Sequence, residues 1–536
     1  SLLISCVDHM ALEAAFHYLQ LAGVHGTSTP ALLLTVLLLL IIRLAWVRTT
    51  TVSTRFGKQQ QLPPSPPGKL PIIGHLHLLG SQTHISIRDL DAKHGRNGLL
   101  LLRIGAVPTL FVSSPSAAEA VLRTHDQIFA SRPPSMAADI IRYGPTDIAF
   151  APYGEYWRQA RKLLTTHMLS AKVVHSFRHG RQEEVRLVIN KIREAATRGT
   201  AVDMSDLLSG YTNDVVCRAV LGESHRKAGR NRLFSELTEI NVSLLGGFSL
   251  ENYIPPNMVM ADVLLRLVSV KAQRLNKRWD ELFNEIIEEH LHPSKPSSGE
   301  QQAADFIDLL LSLKEEYGLT TDNIKAILVD MFEAGIETSY LTLEYGMAEL
   351  MNNRHILKKL QEEVRSQGKK LDMITEEDLS SMAYLRATIK ETLRMHPPAP
   401  FLLPHFSTAD CKVDGYLIPA NTRVLVNAWA LGRDPSSWER PDDFWPERFL
   451  QDQAGDVDTQ MRGKDLRFLP FGFGRRICPG MNFGFATMEV MLANLMYHFD
   501  WDVPNMMGTG AGVDMAESFG LTLRRKEKLQ LVAQIP

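Results

Sequence analysis

The chain has 536 residues, 45% of them hydrophobic and 22% charged, close to ordinary globular usage, which argues against a disordered chain and permits a large core. Lys plus Arg (58) nearly balances Asp plus Glu (60), a net charge of −2, so no basic excess points to nucleic acid. The four cysteines, Cys6, Cys217, Cys411 and Cys478, form no C-x-x-C pair, which argues against a disulfide scaffold or Cys-rich zinc site and suits a reducing compartment.

In chain order, residues 1–28 read as a lumenal tail, 29–47 as a transmembrane anchor, 48–70 as a basic and proline-rich linker, and 71–536 as one large domain. The near-apolar run Ala31–Ile42 lies within Thr29–Val47, a stretch that would span about 28 Å as a helix, enough to cross a bilayer. Arg43 can snorkel and Trp46 suits the interface. No Lys or Arg precedes Arg43, whereas Arg43, Arg48, Arg55 and Lys58 follow, which puts the N-terminus on the lumenal side and the body in the cytosol. A cleaved signal peptide is the rival; the missing basic leader and small-residue cleavage site weigh against it. Pro63-Pro64-Ser65-Pro66-Pro67-Gly68 favours extended polyproline II, a stiff linker that can also orient the body on a membrane.

Beyond Pro71 most of the chain has helical periodicity, with short strands at Leu99–Ile104, Thr109–Val112, Tyr416–Ile418 and Arg423–Val426 and a polar loop at Ser294–Ala303. This is a mainly α domain with a small β region. Trp157-Arg158-Gln159-Ala160-Arg161 places Trp157 and Arg161 on one helix face, which alone fits a core tryptophan beside a surface arginine. Thr321 or Asp322 can cap a proline-free helix over Asn323–Met351, about 43 Å long and apolar on several faces, hence buried. Inside it lies Ala334-Gly335-Ile336-Glu337-Thr338, readable as a packing glycine with a threonine bonded back to the backbone, or as an acid–alcohol pair suited to proton transfer. Glu391 and Arg394, three apart on a helix, are neighbours; an exposed pair would be worth under about 1 kcal/mol.

The run Phe471-Gly472-Phe473-Gly474-Arg475-Arg476-Ile477-Cys478-Pro479-Gly480 precedes a predicted helix from Met481. A cysteine just before a helix meets unpaired N–H groups and the positive dipole end, which favour thiolate. Gly472, Gly474 and Gly480 permit tight turns against a flat ligand, and Arg476 can pair with a carboxylate on it. A glycine-rich loop with a structural cysteine is the alternative.

The complete spacing F-x-x-G-x-R-x-C-x-G, carried by Phe471, Gly474, Arg476, Cys478 and Gly480, matches the haem-binding signature of the cytochrome P450 family, and from about Pro63 onward the chain resembles a microsomal plant A-type member. The resemblance implies the P450 fold: a single large haem domain behind an N-terminal transmembrane helix, in the endoplasmic reticulum membrane. It makes Cys478 the axial ligand of haem b and aligns Ala334, Gly335, Glu337 and Thr338 with the oxygen-binding motif. It gives Trp157, Arg161 and His405 to the haem propionates, and makes Glu391, Arg394 and Arg448 (of Pro446-Glu447-Arg448-Phe449) a buried structural lock. It places substrate near Met136–Ala149, the Ala334 face, Pro398–Leu403 and Phe519–Thr522, with Phe332, Phe401, Leu402, Leu403 and Phe519 as apolar walls.

Haem iron held by thiolate favours O–O cleavage, so the implied activity is an NADPH- and O2-dependent monooxygenase acting on a hydrophobic small molecule. Gly508-Thr509-Gly510-Ala511-Gly512 is no dinucleotide fingerprint, so an external electron donor is needed, and the resemblance implies NADPH–cytochrome P450 reductase; Lys162 and Arg475 are docking candidates or plain surface charges. The text around Met347–Met351 and Pro479–Gly484 resembles the large plant A-type group; within it the expected place is the grass branch that oxidises terpenoids, with a diterpene hydrocarbon as substrate. The alternatives are a flavonoid, other phenolic or lipid hydroxylase, a reductase-independent haem-thiolate isomerase or dehydratase, and a non-catalytic haem or lipid binder. Retention of Gly335, Glu337 and Thr338 argues against the last two.

Overall fold

The computed structural model describes residues 61–222, 229–246, 252–253, 259–292, 305–366, 372–450, 465–504 and 512–536. The expected tail and anchor (1–47), most of the linker (48–60), the Ser294–Ala303 loop and most of Gly508–Gly512 lie outside them. Among the described residues, no helix is long and apolar enough to cross a membrane. The chain divides into two units: Ser1–Gln60 with Lys69–Ile72, of which only the last four residues are described, a turn with Ile72 at φ 68°, and Gln61–Gly68 with Ile73–Pro536, which carries everything below.

The proline-rich stretch is tied down rather than free. Gln61 and Pro64 carbonyls accept from Leu417 N (2.8 Å) and Leu101 N (2.8 Å). Extended backbone leaves its carbonyls outward, available to strand edges.

The principal helices are α1 (Thr83–His94), α2 (Glu155–Leu163), α3 (Arg178–Arg198), α4 (Met204–Leu221), α5 (Arg230–Leu245), α6 (Val259–Leu291), α7 (Thr321–Asn352), α8 (Ala383–Met395) and α9 (Met481–His498). Strands β1 (Leu99–Ile104), β2 (Val107–Val112), β3 (His405–Phe406) and β6 (Arg423–Val426) form one sheet in the order β1-β2-β6-β3. Strands β4 (Cys411–Val413) and β5 (Tyr416–Ile418) pair antiparallel, as do β7 (Glu517–Phe519) and β8 (Leu523–Arg525). In the main sheet β2 and β6 are parallel, and β3 pairs antiparallel with β6 in a register that sets His405 opposite Val424.

Helix α7 runs about 48 Å at 1.5 Å per residue. Its cap is Thr320, one residue before the two expected: Thr320 Oγ1 accepts from Asn323 N (3.1 Å) while Asn323 Oδ1 accepts from Thr320 N (2.9 Å). Apolar side chains on several faces bury it against α4, α5, α8 and α9. Phe332 stacks on Phe234 at 4.0 Å beside Trp279 and Phe283, so it belongs to the core and not to the substrate walls. Phe401 sits edge-on to Phe111 (5.7 Å) and Phe519 (5.9 Å), in a second core under the sheet.

Candidate active site

One cavity gathers the cysteine loop, the middle of α7 and the Pro398–Leu403 segment. On one side, Gly472 and Gly474 adopt φ of 70° and 68°; a Cβ at Gly474 would also meet Leu122 O at 2.5 Å, so the turn demands glycine. The turn is closed by Cys478 N donating to Phe471 O (2.8 Å). Cys478, Phe471 and Gly480 all line the cavity, and Gly480 caps α9.

Burial pushes the Cys478 thiol above its ordinary range; the Gly480 N–H and the Arg161 charge oppose this without winning. The expected thiolate is therefore not a property of the loop alone, because desolvation outweighs the helix end. A coordinated metal cation would deprotonate it.

Arg161, Arg476 and His405 line the same cavity, joined by Arg132, which the sequence reading missed. Arg132 donates to Ala149 O (2.8 Å), Leu403 O (3.0 Å) and Pro404 O (2.8 Å). Arg476 donates to Ala130 O, Ile148 O and Ala151 O, and Arg161 to Ile477 O. None of the three guanidiniums forms an ion pair among the described residues, although Arg132 and Arg476 are buried. Burial lowers Arg476 to about 10 and Arg132 well below its usual value, with mutual repulsion adding to the latter. Burial and then the Arg132 charge lower His405 to about 3, so it is neutral; its Nδ1 bonds to Phe129 O (2.9 Å). A ligand anion among these groups would offset their repulsion.

Trp157 departs from its expected place. Its N–H goes to Ile148 O (2.9 Å), it is absent from the cavity wall, and its ring lies 4.2 Å from the Arg476 guanidinium. It supports a cation instead of facing the cavity.

Opposite lies α7. Ala334 is exposed in the centre of an otherwise buried helix, and its exposed side lines the cavity. Gly335 serves packing: a Cβ there would lie 2.9 Å from Val216 Cγ2 of α4. Thr338 Oγ1 donates back to Ala334 O (2.7 Å), the local bond that its helical position allows. Glu337 Oε1 accepts from Thr522 Oγ1 (2.7 Å) and Arg524 Nε (2.5 Å), while its Oε2 is buried without a hydrogen bond. Leu402, Leu403 and Thr522 line the cavity as expected, and Leu164, Val220 and Phe483 extend its apolar wall.

Beneath the cavity, Arg394 chelates Glu391 (Nε–Oε2 2.8 Å, Nη2–Oε1 2.8 Å), and Arg448 Nε reaches Glu391 Oε1 at 3.1 Å. Glu391 and Arg394 are fully buried. Arg475 is neutralised by Asp126 (2.9 Å), and Lys162 is exposed.

Haem fits this donor set. Cys478 would ligate iron from one face, the unpaired Arg132, Arg161 and Arg476 would hold its carboxylates, and the small Ala334 leaves the facing wall free of bulk. Comparisons with known proteins agree. The Cytochrome P450 family model matches residues 63–523. A maize (Zea mays) indolin-2-one monooxygenase is 74% identical over 98% of this chain and all of its own length. A maize 3-hydroxyindolin-2-one monooxygenase is 61% identical over 98% and 99%, and a maize indole-2-monooxygenase 53% identical over 89% and 88%. A zebra fish cytochrome P450 solved with progesterone shares the fold at a TM-score of 0.70, with 24% identity over 84% of this chain and 99% of its own. A cavity that joins a cysteine to unpaired arginines, set in a chain matched by that model over most of its length, places the protein in the cytochrome P450 family as a haem-dependent monooxygenase.

Proposed function

We propose that this chain hydroxylates a small indole-derived ring, indolin-2-one or a close relative. The overall change would be R–H + O2 + NADPH + H+ to R–OH + H2O + NADP+, with electrons delivered by NADPH–cytochrome P450 reductase. The observation that carries the reading is the 74% identity to an indolin-2-one monooxygenase over nearly the whole chain, with two further indolic monooxygenases among its relatives. That favours an indolic substrate over the diterpene expected from the sequence.

Haem, when bound, supplies oxygen activation, with thiolate donation favouring O–O cleavage. The protein's part is to position substrate and supply protons. Leu164, Val220 and Phe483 offer apolar contact. Thr338 lines the cavity, and Glu337, the residue before it, lines it too and keeps Oε2 without a partner, an acid–alcohol pair able to pass protons inward. Arg524, partly exposed and bonded to Glu337, links that pair to solvent.

The apolar run 29–47 supports anchoring in the endoplasmic reticulum membrane with the body in the cytosol. Resistance of the full chain to alkaline carbonate extraction would support this; release into the supernatant would refute it.

The test is co-expression with a plant reductase, feeding indole, indolin-2-one, 3-hydroxyindolin-2-one and a diterpene hydrocarbon. NADPH-dependent gain of one oxygen on an indolic compound is expected. Turnover of the diterpene alone, or turnover without NADPH, would overturn the reading.

A further inference from the structure

Away from the cysteine loop and its arginines, the cavity wall carries a second polar group. Arg142, Asp330 and Glu333 all line it. Arg142, 1% exposed, faces three carboxyls: Asp147 (Nε–Oδ2 3.2 Å), Asp330 and Glu333. Two of these acids have backbone duties. Asp330 Oδ2 accepts from Ile148 N (2.7 Å) and Ala149 N (3.2 Å), and Asp147 Oδ2 from Phe150 N (2.9 Å). They fasten the chain beside the cavity.

Glu333 differs. Its Oε2 is held from two sides, by Arg142 Nη2 and by Asn241 Nδ2 at 2.8 Å from α5. Its Oε1 accepts no hydrogen bond among the described residues, although the residue is only 8% exposed and lines the cavity. One oxygen is therefore fixed by two donors while the other lacks a protein partner. That oxygen is not sealed off, so a donor on a molecule in the cavity can reach it and gain a hydrogen bond to a fixed carboxylate oxygen. Asn241 is itself fully buried, so a carboxyl that swung away would strip its Nδ2 of that acceptor and cost Arg142 one of its three carboxyl partners.

We propose that Glu333 is a specificity-determining residue whose Oε1 accepts the ring N–H of the substrate and so orients the bicyclic ring in the cavity. This rests on the indolic reading above. A hydrocarbon would then be a poor fit, since it would cover Oε1 and offer it nothing. A site built around a substrate N–H discriminates against analogues that lack it, because its own polar group is then left unpaired.

The test uses full-chain holoenzyme and the substrate-induced shift of the haem absorbance as a binding readout, with indolin-2-one and N-methylindolin-2-one as probes. The wild type should bind indolin-2-one at least about tenfold more tightly, the effect of one hydrogen bond to a charged group. Methylation also adds bulk, so the decisive comparison is with variants. In Glu333→Gln, Arg142 and Asn241 claim the amide oxygen and the NH2 faces the cavity, where it cannot accept. The preference should fall to about twofold or less, as it should in Glu333→Ala. The carbon-monoxide spectrum verifies folding, and the isosteric Gln variant decides if the Ala variant does not fold. An unchanged preference in a folded variant, or no preference in the wild type, overturns the role of Glu333 and leaves the indolic reading intact. No shift with either probe in the wild type overturns both.

Discussion

Replacing Glu391 by alanine tests whether the buried lock beneath the cavity is needed for stability. Glu391 Oε2 accepts from Arg394 Nε (2.8 Å), and Oε1 from Arg394 Nη2 (2.8 Å), Trp445 N (2.7 Å) and Arg448 Nε (3.1 Å). Neither Glu391 nor Arg394 has any exposed side-chain surface. Arg394 would keep its carbonyl partners, including Pro441 O (2.7 Å) and Asp443 O (3.1 Å), but no buried charge would balance it as directly. Breaking such a pair from one side costs about 3–5 kcal/mol. With an unfolding entropy of about 2.1 cal/mol/K per residue over the 422 described residues, about 0.9 kcal/mol/K, the melting midpoint should fall by about 3–6 °C. Glu391→Gln keeps the shape and one acceptor and should lie between. The assay is loss of the thiolate-type carbon-monoxide band on heating at fixed scan rate. An Ala variant that melts within about 1 °C of wild type, at equal yield, would refute the argument that the pair is an uncompensable buried charge.

Cys478→Ser should abolish the thiolate-type absorbance of the reduced, carbon-monoxide-bound protein; its persistence would refute the ligand assignment. Arg132→Gln should release haem to an acceptor protein about tenfold faster, since it removes one of three otherwise unpaired cations; an unchanged rate would show that Arg132 holds no propionate. Gly335→Ala gains about 1 kcal/mol of helix propensity but sets a Cβ 2.9 Å from Val216, and overpacking costs about 1–3 kcal/mol. It should be neutral to destabilising alone and stabilising when combined with Val216→Ala, read as melting midpoints. His290, hydrogen-bonded to Asp305 at 3.0 Å, is raised to about 9 by that bond. A histidine raised in the folded state stabilises fully below its unfolded value near 6.5 and loses this as pH climbs through 9. Melting midpoints should fall between pH 6.5 and 9, and His290→Gln should flatten that part of the profile.

Features carried by consecutive or helically spaced residues are legible before folding is considered. The Phe471–Gly480 loop is local: its glycines set the turn, and Phe471 O closes it on Cys478 N at 2.8 Å. The Glu391–Arg394 pair follows from three-residue helical spacing, and the burial of α7 from apolar side chains on several faces. Tertiary structure decided what each face meets. The family resemblance sets Phe332, Phe401 and Phe519 among the substrate walls, but packing turns them to aromatic partners and away from the cavity. Arg132 gives only a weak signal, an arginine before Pro133-Pro134, because its partners Leu403 and Pro404 lie more than 270 positions away. Cys478 shows the same division. Its position before a helix is legible, yet its protonation depends on desolvation by residues brought in from across the chain, and burial there outweighs the local N–H groups. Glu333 reads as one more helix acid until Arg142 and Asn241, from two other segments, fix one oxygen and leave the other without a partner. Side-chain spacing specifies direction over a few ångströms, whereas the dielectric, charge balance and unsatisfied atoms of a site are sums over everything folded around it.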